Sequence, residues 1–442
     1  MQKRKTSTHL LSKKSKTDKI TTSSSDSSPT GVNKIQTQDF IQRKFAEYYK
    51  QNLRSVAPPP AIEKREFAFL LFKEKTMLRH KGFKDAEDFR NLLLNVAPSD
   101  VYYSSAYYEK PEEEMDSKGW IGADLVFDID ADHIPTPCNK EHDTWTCKNC
   151  GMSGRGPKPE KCPKCASQKL KEMSWPCQIC LGSAKEETMK LIDVLDKDFG
   201  LSTRDMKLAF SGHRGYHVHV ETEAVRTLDA IARKEIVDYM LGLGLEPSLY
   251  NIEKGEPPRL EDYGWKGRIA KGTYELLLTA TEEQLEKTDL KKRTVAQIIR
   301  QKDKIMESWT EKGQWKTLKA IGPEAWPKII KQAIEKQSVK IDTVVTTDVH
   351  RLIRLANTLH GETGFLKIQM SMNEIEGFDP FRDAIAFKSG MITVDVSAAP
   401  RFRLGDYVYG PFTNQKVELP TAVAMFLLCK GVAKIAEATG HV

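Results

Sequence analysis

Seven of the eight cysteines of this 442-residue chain lie in one stretch, from Cys138 to Cys180. Six of these seven form three pairs with CxxC spacing. Two thiolates at this spacing lie on one tight turn and can bind a single tetrahedral ion, whereas the cysteines of secreted disulfide-linked domains are spread along the whole chain. The stretch is therefore predicted to fold around metal ions.

The spacing divides the potential ligands into two sets of four. The inner set is Cys147, Cys150, Cys162 and Cys165, and the outer set is Cys138, His142, Cys177 and Cys180. The inner set encloses a Gly- and Pro-rich segment, which is typical of a zinc ribbon, and the outer set brackets that ribbon. Each set supplies four protein ligands, so we predict two structural zinc ions with no open position for catalysis. The alternative for the outer set is that Cys138 or His142 is a bystander and the last CxxC pair is reduced thiol.

Acidic and apolar residues alternate over residues 122–132. Because a strand has a period of two, Asp128 and Asp130 project from one face while Phe127 and Ile129 pack from the other. Two neighbouring carboxylates raise each other's pKa unless a cation lies between them, and Mg²⁺ is the ion that prefers carboxylate and phosphate oxygen. We therefore predict a divalent metal site here; the alternative is an edge strand with a solvated acidic face.

A glycine-containing turn at residues 211–215 joins two strand-like runs, the second of which begins at Tyr216 and includes His217. The turn and this run carry Ser211, Arg214 and His217, whose hydroxyl, guanidinium and imidazole groups suit phosphate oxygens, and the backbone N–H groups of the turn can face an anion. The turn is predicted to bind phosphate; the alternative is a hairpin that tolerates polar residues.

A third polar cluster covers residues 347–364. Asp348 offers a third carboxylate, and Arg354 and His360 offer further phosphate donors. The alternative is a surface helix that begins at Asp348, with this residue as its N-cap.

Periodicity in the rest of the chain predicts an α+β fold. Helices are predicted over 38–50, 85–96, 228–240, 295–309 and 420–438, and strands over 66–72, 101–108, 121–130, 206–210, 216–220, 343–347, 365–370 and 391–396. The predicted divisions are a tail (1–36), a sheet domain (37–224 and 337–442), a zinc-binding insertion (134–181) and a helical insertion (225–336).

Charge is concentrated at the N-terminus. Residues 1–34 carry eight cations and two acids, which is six of the seven units of net positive charge. Seven of the eight residues of 21–28 are Ser or Thr, so this tail is predicted to be disordered, either as a solvated segment or as a weak nucleic-acid tether. The longest apolar run has eight residues, 422–429, too few to span a bilayer, and we expect a soluble cytoplasmic protein.

In this order, the motifs resemble those of the small, catalytic subunit of archaeal and eukaryotic DNA primases, in the archaeal form. The resemblance covers residues 60–442 and is carried by Arg65 to Phe69, Tyr103 to Tyr107, Trp120 to His133, the Cys/His site, Ser211 to His217 and Asp348 to Gly364. It implies the archaeo-eukaryotic primase catalytic fold with a zinc-binding insertion and a helical subdomain.

The resemblance also implies residue roles. Catalytic Mg²⁺ or Mn²⁺ would be bound by Asp128, Asp130 and Asp348, and the nucleotide by Ser211, Arg214, His217, Arg354, His360, Glu66 and Arg79. The implied enzyme is a nucleotidyltransferase of DNA replication that makes short RNA primers, and in some cases DNA, on a single-stranded DNA template from NTPs. The implied partner is the large regulatory subunit of a heterodimeric primase, near the nucleoid of an archaeal-type cell.

Two features depart from the family pattern. Many members have Trp two residues after the turn histidine, where this chain has His219, which affects local packing. The single zinc site of the family is interrupted here by the inner ribbon, so the outer set is inferred to be the family site.

Three other functions fit parts of the pattern. A non-enzymatic zinc-ribbon protein that binds nucleic acid would not need the three acids. A metal-dependent glycosyltransferase would use the two strand aspartates, but no Gly-rich nucleotide loop follows a first strand. A repair-type primase-polymerase of the same superfamily usually lacks the zinc insertion and carries ligase or nuclease domains.

Overall fold

A computed structural model describes residues 29–250, 258–304, 321–322 and 324–436. The strands are β1 Phe67–Leu70, β2 Met77–Lys81, β3 Asp100–Ser104, β4 Ala106–Tyr108, β5 Trp120–Ala123, β6 Leu125–Asp130, β7 Thr144–Cys147, β8 Ser153–Arg155, β9 Leu170–Met173, β10 Met206–Phe210, β11 Gly215–Val220, β12 Leu352–Arg354, β13 Ile368–Met370, β14 Met391–Ala399, β15 Phe402–Leu404, β16 Tyr407–Tyr409, β17 Phe412–Pro420 and β18 Ala433–Ile435.

The described chain contains both helices and strands, and its larger sheets are antiparallel, which agrees with the predicted α+β class. The helices are α1 Pro29–Gln51, α2 Ala86–Val96, α3 Asn139–His142, α4 Gln178–Lys197, α5 Glu223–Arg226, α6 Ala230–Leu241, α7 Gly264–Thr279, α8 Glu282–Glu286, α9 Lys292–Arg300, α10 Trp326–Gln337, α11 Thr343–Thr347, α12 Pro380–Asp383 and α13 Thr421–Cys429. Of the helices in the described ranges, none is long and apolar enough to cross a bilayer.

Two four-stranded antiparallel sheets carry the polar motifs. One has the strand order β13-β10-β11-β6, and the other has the order β12-β3-β1-β2. In the first sheet Asp128 pairs with His217 and Asp130 with Gly215, so the acidic strand and the glycine turn are neighbours. The apolar positions between the acids, Phe127 and Ile129, are fully buried, as the period of two predicts.

The helical insertion has a hydrophobic core of its own, built by residues such as Trp265, Ile269 and Ile330. Helix α7 crosses α10 at Gly272, where an added Cβ would lie 2.7 Å from the carbonyl oxygen of Ala333. Glycine therefore permits the close approach of the two helices. Residues 251–257, 305–320 and 323 of the predicted insertion lie outside the described residues, as does the end of the helix predicted over 295–309.

The cysteine-rich stretch forms a three-stranded sheet with the order β8-β7-β9. The indole of Trp145 on β7 is buried against Gly154 on β8, where an added Cβ would lie only 2.5 Å from the ring. The glycine thus leaves room for the tryptophan that forms the small core of this ribbon.

In type or in length, three predicted elements differ clearly from the structure. The segment Thr343–Thr347, predicted as a strand from its β-branched residues, is helix α11, because the Asp342 side chain caps it by accepting hydrogen bonds from the N–H groups of Val344 and Val345. The last helix ends at Cys429 rather than 438, and the chain returns as β18, which pairs with β14.

The N-terminal helix is also longer than predicted. It begins at Pro29 instead of residue 38, so the last eight residues of the predicted 1–36 tail are helical. Proline is favoured in the first turn of a helix, where its missing N–H has no partner to lose. The rest of the predicted tail, residues 1–28, lies outside the described residues.

Candidate active site

A cavity of about 180 Å³ opens where the two four-stranded sheets meet. Its lining residues are Tyr102, Asp128, Asp130, Ser211, His213, His217, Arg351, Leu352, Ile353, Arg354 and His360. Six of these were predicted from the sequence as metal or nucleotide ligands, and tertiary folding brings them from three distant segments to one place. The other predicted residues, Glu66, Arg79, Arg214 and Asp348, do not line this cavity.

The surroundings of Asp128 strongly shift the pKa of its carboxyl group. Burial raises the pKa of its carboxyl to about 7, and the neighbouring carboxylates of Asp130 and Asp342 contribute to this rise. The positive charge of Arg351 lowers the pKa of Asp128, but it offsets only part of the rise. A carboxylate held in this environment is stabilised in its charged form when a cation binds beside it.

Of Asp342 and Asp348, it is Asp342 that lies close to Asp128. The backbone N–H of Asp342 donates to the carbonyl oxygen of Asp128 at 2.8 Å, and the charge of its carboxylate acts on that of Asp128. Asp348 lies at the opposite end of helix α11, where its side chain accepts from the backbone N–H of His350 at 2.9 Å. The role of Asp348 as a third carboxylate stays a prediction, and of the two acids it is Asp342 whose charge acts on Asp128.

His217 faces Asp128 across the β6–β11 pair, with its Nε2 3.5 Å from Asp128 Oδ1. Its other ring nitrogen, Nδ1, lies 3.1 Å from Lys367 Nζ, and this lysine also donates to the carbonyl oxygen of Arg354 at 2.7 Å. As an ammonium group Lys367 can only donate, so at pH values below the pKa of this lysine Nδ1 accepts and the ring proton is on Nε2, toward the cavity. Burial lowers the pKa of His217 well below its usual value, so the ring is neutral.

Lys367 was not predicted from the sequence. It is almost fully buried, and desolvation together with the charge of Arg354 lowers the pKa of its amine to about 7, although Asp128 opposes this. Its position in the mostly apolar segment 365–370 is only a weak sign of a site residue, because lysine is far more often exposed than buried.

Two further histidines, His213 and His360, lie together beside the glycine turn. The rings of His213 and His360 are stacked, with centroids 5.0 Å apart and an angle of 11° between their planes. Burial lowers the pKa of both rings well below the usual value. Lys430 Nζ lies 3.0 Å from His213 Nε2, and burial lowers the pKa of this lysine to about 8. The residues around the turn thus form a cluster of hydrogen-bonding groups and positive charge.

Arg354 lines the cavity, but its guanidinium group is already held. It forms a buried ion pair with Asp100 and a hydrogen bond of 3.3 Å to the Tyr102 hydroxyl. The same Asp100 carboxylate accepts from the backbone N–H of Gly361, next to His360. Arg354 therefore contributes positive charge to the cavity and also fixes the loop that carries His360.

Arg214, predicted to grip phosphate, points away from the cavity. Its side chain is fully buried and forms ion pairs with Asp132 at 2.6 Å and Asp143 at 3.2 Å. Asp143 also lies 2.7 Å from Nδ1 of His142, a member of the outer Cys/His set. The geometry thus makes Arg214 a link between the glycine turn and this set, which corrects the predicted phosphate contact.

Glu66 and Arg79 contact each other rather than the cavity. The Glu66 carboxylate is fully buried, accepts from Arg79 Nε at 3.0 Å and lies 3.3 Å from Lys118 Nζ. Nearby, the Tyr108 hydroxyl is 3.0 Å from His350 Nδ1. Of the described residues, these form a polar cluster next to the cavity that also includes Asp348, whose charge acts on Tyr108.

The two predicted Cys/His sets are both assembled. In each set the four ligand atoms lie within 4.8 Å of one another. Sulfur atoms across the inner set, Cys147 to Cys165 and Cys150 to Cys162, are 3.6 Å apart. Zn–S bonds of about 2.3 Å in a tetrahedron place sulfur atoms roughly 3.7 Å apart, so this spacing and the soft ligands are compatible with zinc.

Comparison with known proteins agrees with the motifs. Residues 171–372 match the model of a protein family described as DNA primase small subunit. Proteins named DNA primase small subunit PriS from Nitrosopumilus maritimus and Archaeoglobus fulgidus are 30% and 34% identical to this chain, over 402 and 406 residues. Each alignment covers 90% of this chain and 98% of the relative.

These relatives define the class of the protein, that of the DNA primases. Within it, the chain belongs to the DNA primase small subunit family. The resemblance inferred from the sequence motifs is thereby confirmed, and a further relative with the same name, from Cenarchaeum symbiosum, is 31% identical over 407 residues, with 90% of this chain and 98% of the relative covered.

Proposed function

We propose that this chain is the catalytic subunit that joins ribonucleotides into short primers on a single-stranded DNA template during replication. The observation that carries this proposal is the convergence, in one cavity of a primase small subunit, of the paired acids Asp128 and Asp130 with the donors of the glycine turn. Such a site needs no nucleophilic side chain, because the primer hydroxyl attacks and the protein orients phosphate.

Asp128, Asp130 and Asp342 would hold Mg²⁺ or Mn²⁺. When bound, divalent ions activate a 3′-hydroxyl and stabilise the departing pyrophosphate. The raised pKa of Asp128 supports this set, since an uncompensated cluster of buried acids is costly. The chain's own contribution is to fix Asp128 opposite His217 and to bring Asp342 to it by a backbone hydrogen bond.

The remaining cavity residues would bind the triphosphate. Ser211 lies in the turn and accepts from the N–H groups of His213 and Gly215, which fixes its hydroxyl at the cavity. His217 presents its Nε2–H, and the stacked His213 and His360 add further polar groups beside Lys430. Arg354 would supply charge without leaving Asp100.

The two Cys/His sets would each hold one structural zinc ion, and the outer set would support the turn through His142, Asp143 and Arg214. The fold would be the archaeo-eukaryotic primase fold, with a helical insertion and a zinc-binding insertion. The partners would be the large primase subunit, NTPs and single-stranded DNA, in the cytoplasm.

Two neighbouring acids provide the decisive test. Asp342→Asn should reduce primer synthesis on unprimed single-stranded DNA at least 100-fold and weaken Mn²⁺ binding, because a carboxylate beside Asp128 is lost. The matched variant Asp348→Asn should retain synthesis within a few-fold, since its carboxylate faces His350. Synthesis would be measured with labelled NTPs or dNTPs, and Mn²⁺ binding by electron paramagnetic resonance.

If Asp348→Asn lost more primer synthesis than Asp342→Asn, the choice of Asp342 as the third metal ligand would be refuted. Full activity of Asp130→Ala, with the fold retained by circular dichroism, would refute the metal site as a whole.

A further inference from the structure

The inner ribbon, residues 144–173, is a strongly basic part of the described chain. It carries seven lysine and arginine residues against two acids, a net charge of +5, and all seven cations are exposed. Residues 35–442 together have a net charge of only +1, so the rest of that region is at −4. The ribbon therefore forms a positive surface on an otherwise slightly acidic protein.

These cations are mostly free of acidic partners. Within the described residues the ribbon has one ion pair, between Lys158 and Glu172 at 3.9 Å, and this pair is half exposed. In the same part of the chain, no carboxylate lies within ion-pair distance of exposed lysines such as Lys161, Lys164, Lys169 and Lys171. Positive charge that the protein itself does not neutralise is available to an external polyanion.

The ribbon is a rigid support for this charge. Its strands pair in the order β8-β7-β9, its four cysteines converge, and Trp145 is buried over Gly154. Cations whose backbone is held in a folded ribbon lose less conformational freedom on binding than cations on a flexible tail. Since Trp145 is the ribbon's one aromatic side chain and is buried, base stacking is not available to a ligand on this surface.

Both ends of the ribbon are attached to residues of the active site. Strand β7 begins directly after Asp143, which forms an ion pair with Arg214 in the glycine turn. After β9, the carbonyl oxygen of Ser174 accepts from Lys430, whose Nζ also lies 3.0 Å from His213 at the cavity. The two ends of the ribbon are therefore held next to the glycine turn by direct contacts.

We infer that the ribbon binds the sugar–phosphate backbone of the single-stranded DNA template beside the active site, without reading its sequence. The inference rests on the proposed function for the identity of the strand, and it assigns a role to the ribbon that the catalytic residues do not need. Contacts of this kind are electrostatic and weaken as salt rises.

The test uses the full-length chain with Lys161, Lys164, Lys169 and Lys171 all changed to Gln. Fluorescence anisotropy would measure binding to labelled oligo-dT over a range of salt concentrations. We expect affinity at 0.1 M salt to fall at least tenfold, and the slope of log K against log salt to fall by up to about 3, since each phosphate contact on single strands contributes roughly 0.7.

A matched control removes the same charge elsewhere. Lys271, Lys292, Arg293 and Lys331 are exposed on the helical insertion, and their change to Gln should leave affinity and slope unaltered. Metal content and thermal melting of both variants would show that the fold is intact.

An unchanged slope in the ribbon variant, or equal losses in both variants, would overturn the inference. So would weaker binding to an RNA–DNA hybrid, or to the large subunit, with single-stranded DNA binding unaffected. Because binding is measured without synthesis, failure here is distinct from failure of the proposed function, which the Asp342 variant tests.

Discussion

Lys367 determines which nitrogen of His217 carries the proton. Its ammonium group is fixed by the Arg354 carbonyl oxygen and faces His217 Nδ1, so the Nε2–H is directed at Asp128 and at the space for phosphate. A buried neutral histidine without this neighbour would sample both tautomers, and only one of them donates toward the cavity.

We therefore expect Lys367→Met to raise the KM for NTP by about 3- to 10-fold, which corresponds to the loss of one hydrogen bond. Nitrogen-15 NMR of the histidine side chains should show His217 changing from the Nε2–H form to a mixture of tautomers. Lys207→Met is the matched control, because Lys207 pairs with Glu221 and does not contact His217. A raised KM with an unchanged tautomer would contradict the positioning role.

At the level of single elements, the two acids that flank helix α11 show how a short segment decides the site. The β-branched residues of 343–347 predict a strand, but the Asp342 cap makes a helix of one turn and leaves Asp342 and Asp348 at opposite ends. A strand would have placed residues 342 and 348 on the same face, since they are an even number of positions apart. The predicted strand is therefore wrong, and the helix decides that Asp342 and Asp348 lie apart.

Two glycines in helices, Gly272 and Gly182, lead to a prediction about the free energy of unfolding. Gly272→Ala should lower the free energy of unfolding by about 1–3 kcal/mol, because its Cβ would meet the backbone of α10. In α4, a Cβ added at Gly182 would have no neighbouring atom within 4 Å, so Gly182→Ala should raise the free energy by up to about 1 kcal/mol. Urea denaturation of both variants measures this difference, and equal effects would show that the α7–α10 crossing is not tight.

For the whole molecule, the two Cys/His sets are separate units with different neighbours. The outer set reaches the glycine turn through Asp143 and Arg214, whereas the inner set closes the ribbon alone. Loss of the outer ion should therefore disturb the active site, and loss of the inner ion should disturb only the ribbon.

We expect two zinc ions per chain by mass spectrometry of the purified protein, and one ion in each of the variants Cys177→Ser and Cys162→Ser. At saturating template, addition of a single nucleotide to a primed template should fall at least tenfold in Cys177→Ser and change little in Cys162→Ser. One ion in the unmodified chain, or equal losses of activity in both variants, would contradict the division into two sets.

The sequence by itself determined the parts of the site whose information is local. The period of two in β6 placed Asp128 and Asp130 on one face, the CxxC spacing separated the two Cys/His sets, and the ordered motifs identified the primase small subunit family. These features follow from backbone geometry within a few residues, so they can be read without knowledge of the rest of the chain.

Only the tertiary structure decided which distant groups meet. It placed Asp342 rather than Asp348 beside Asp128, buried Lys367 behind His217, and turned Arg214 toward Asp143 and away from the cavity. These choices depend on strand pairing, helix capping and burial among residues far apart in sequence, and the same aspartate, lysine or arginine could equally have been a solvated surface residue.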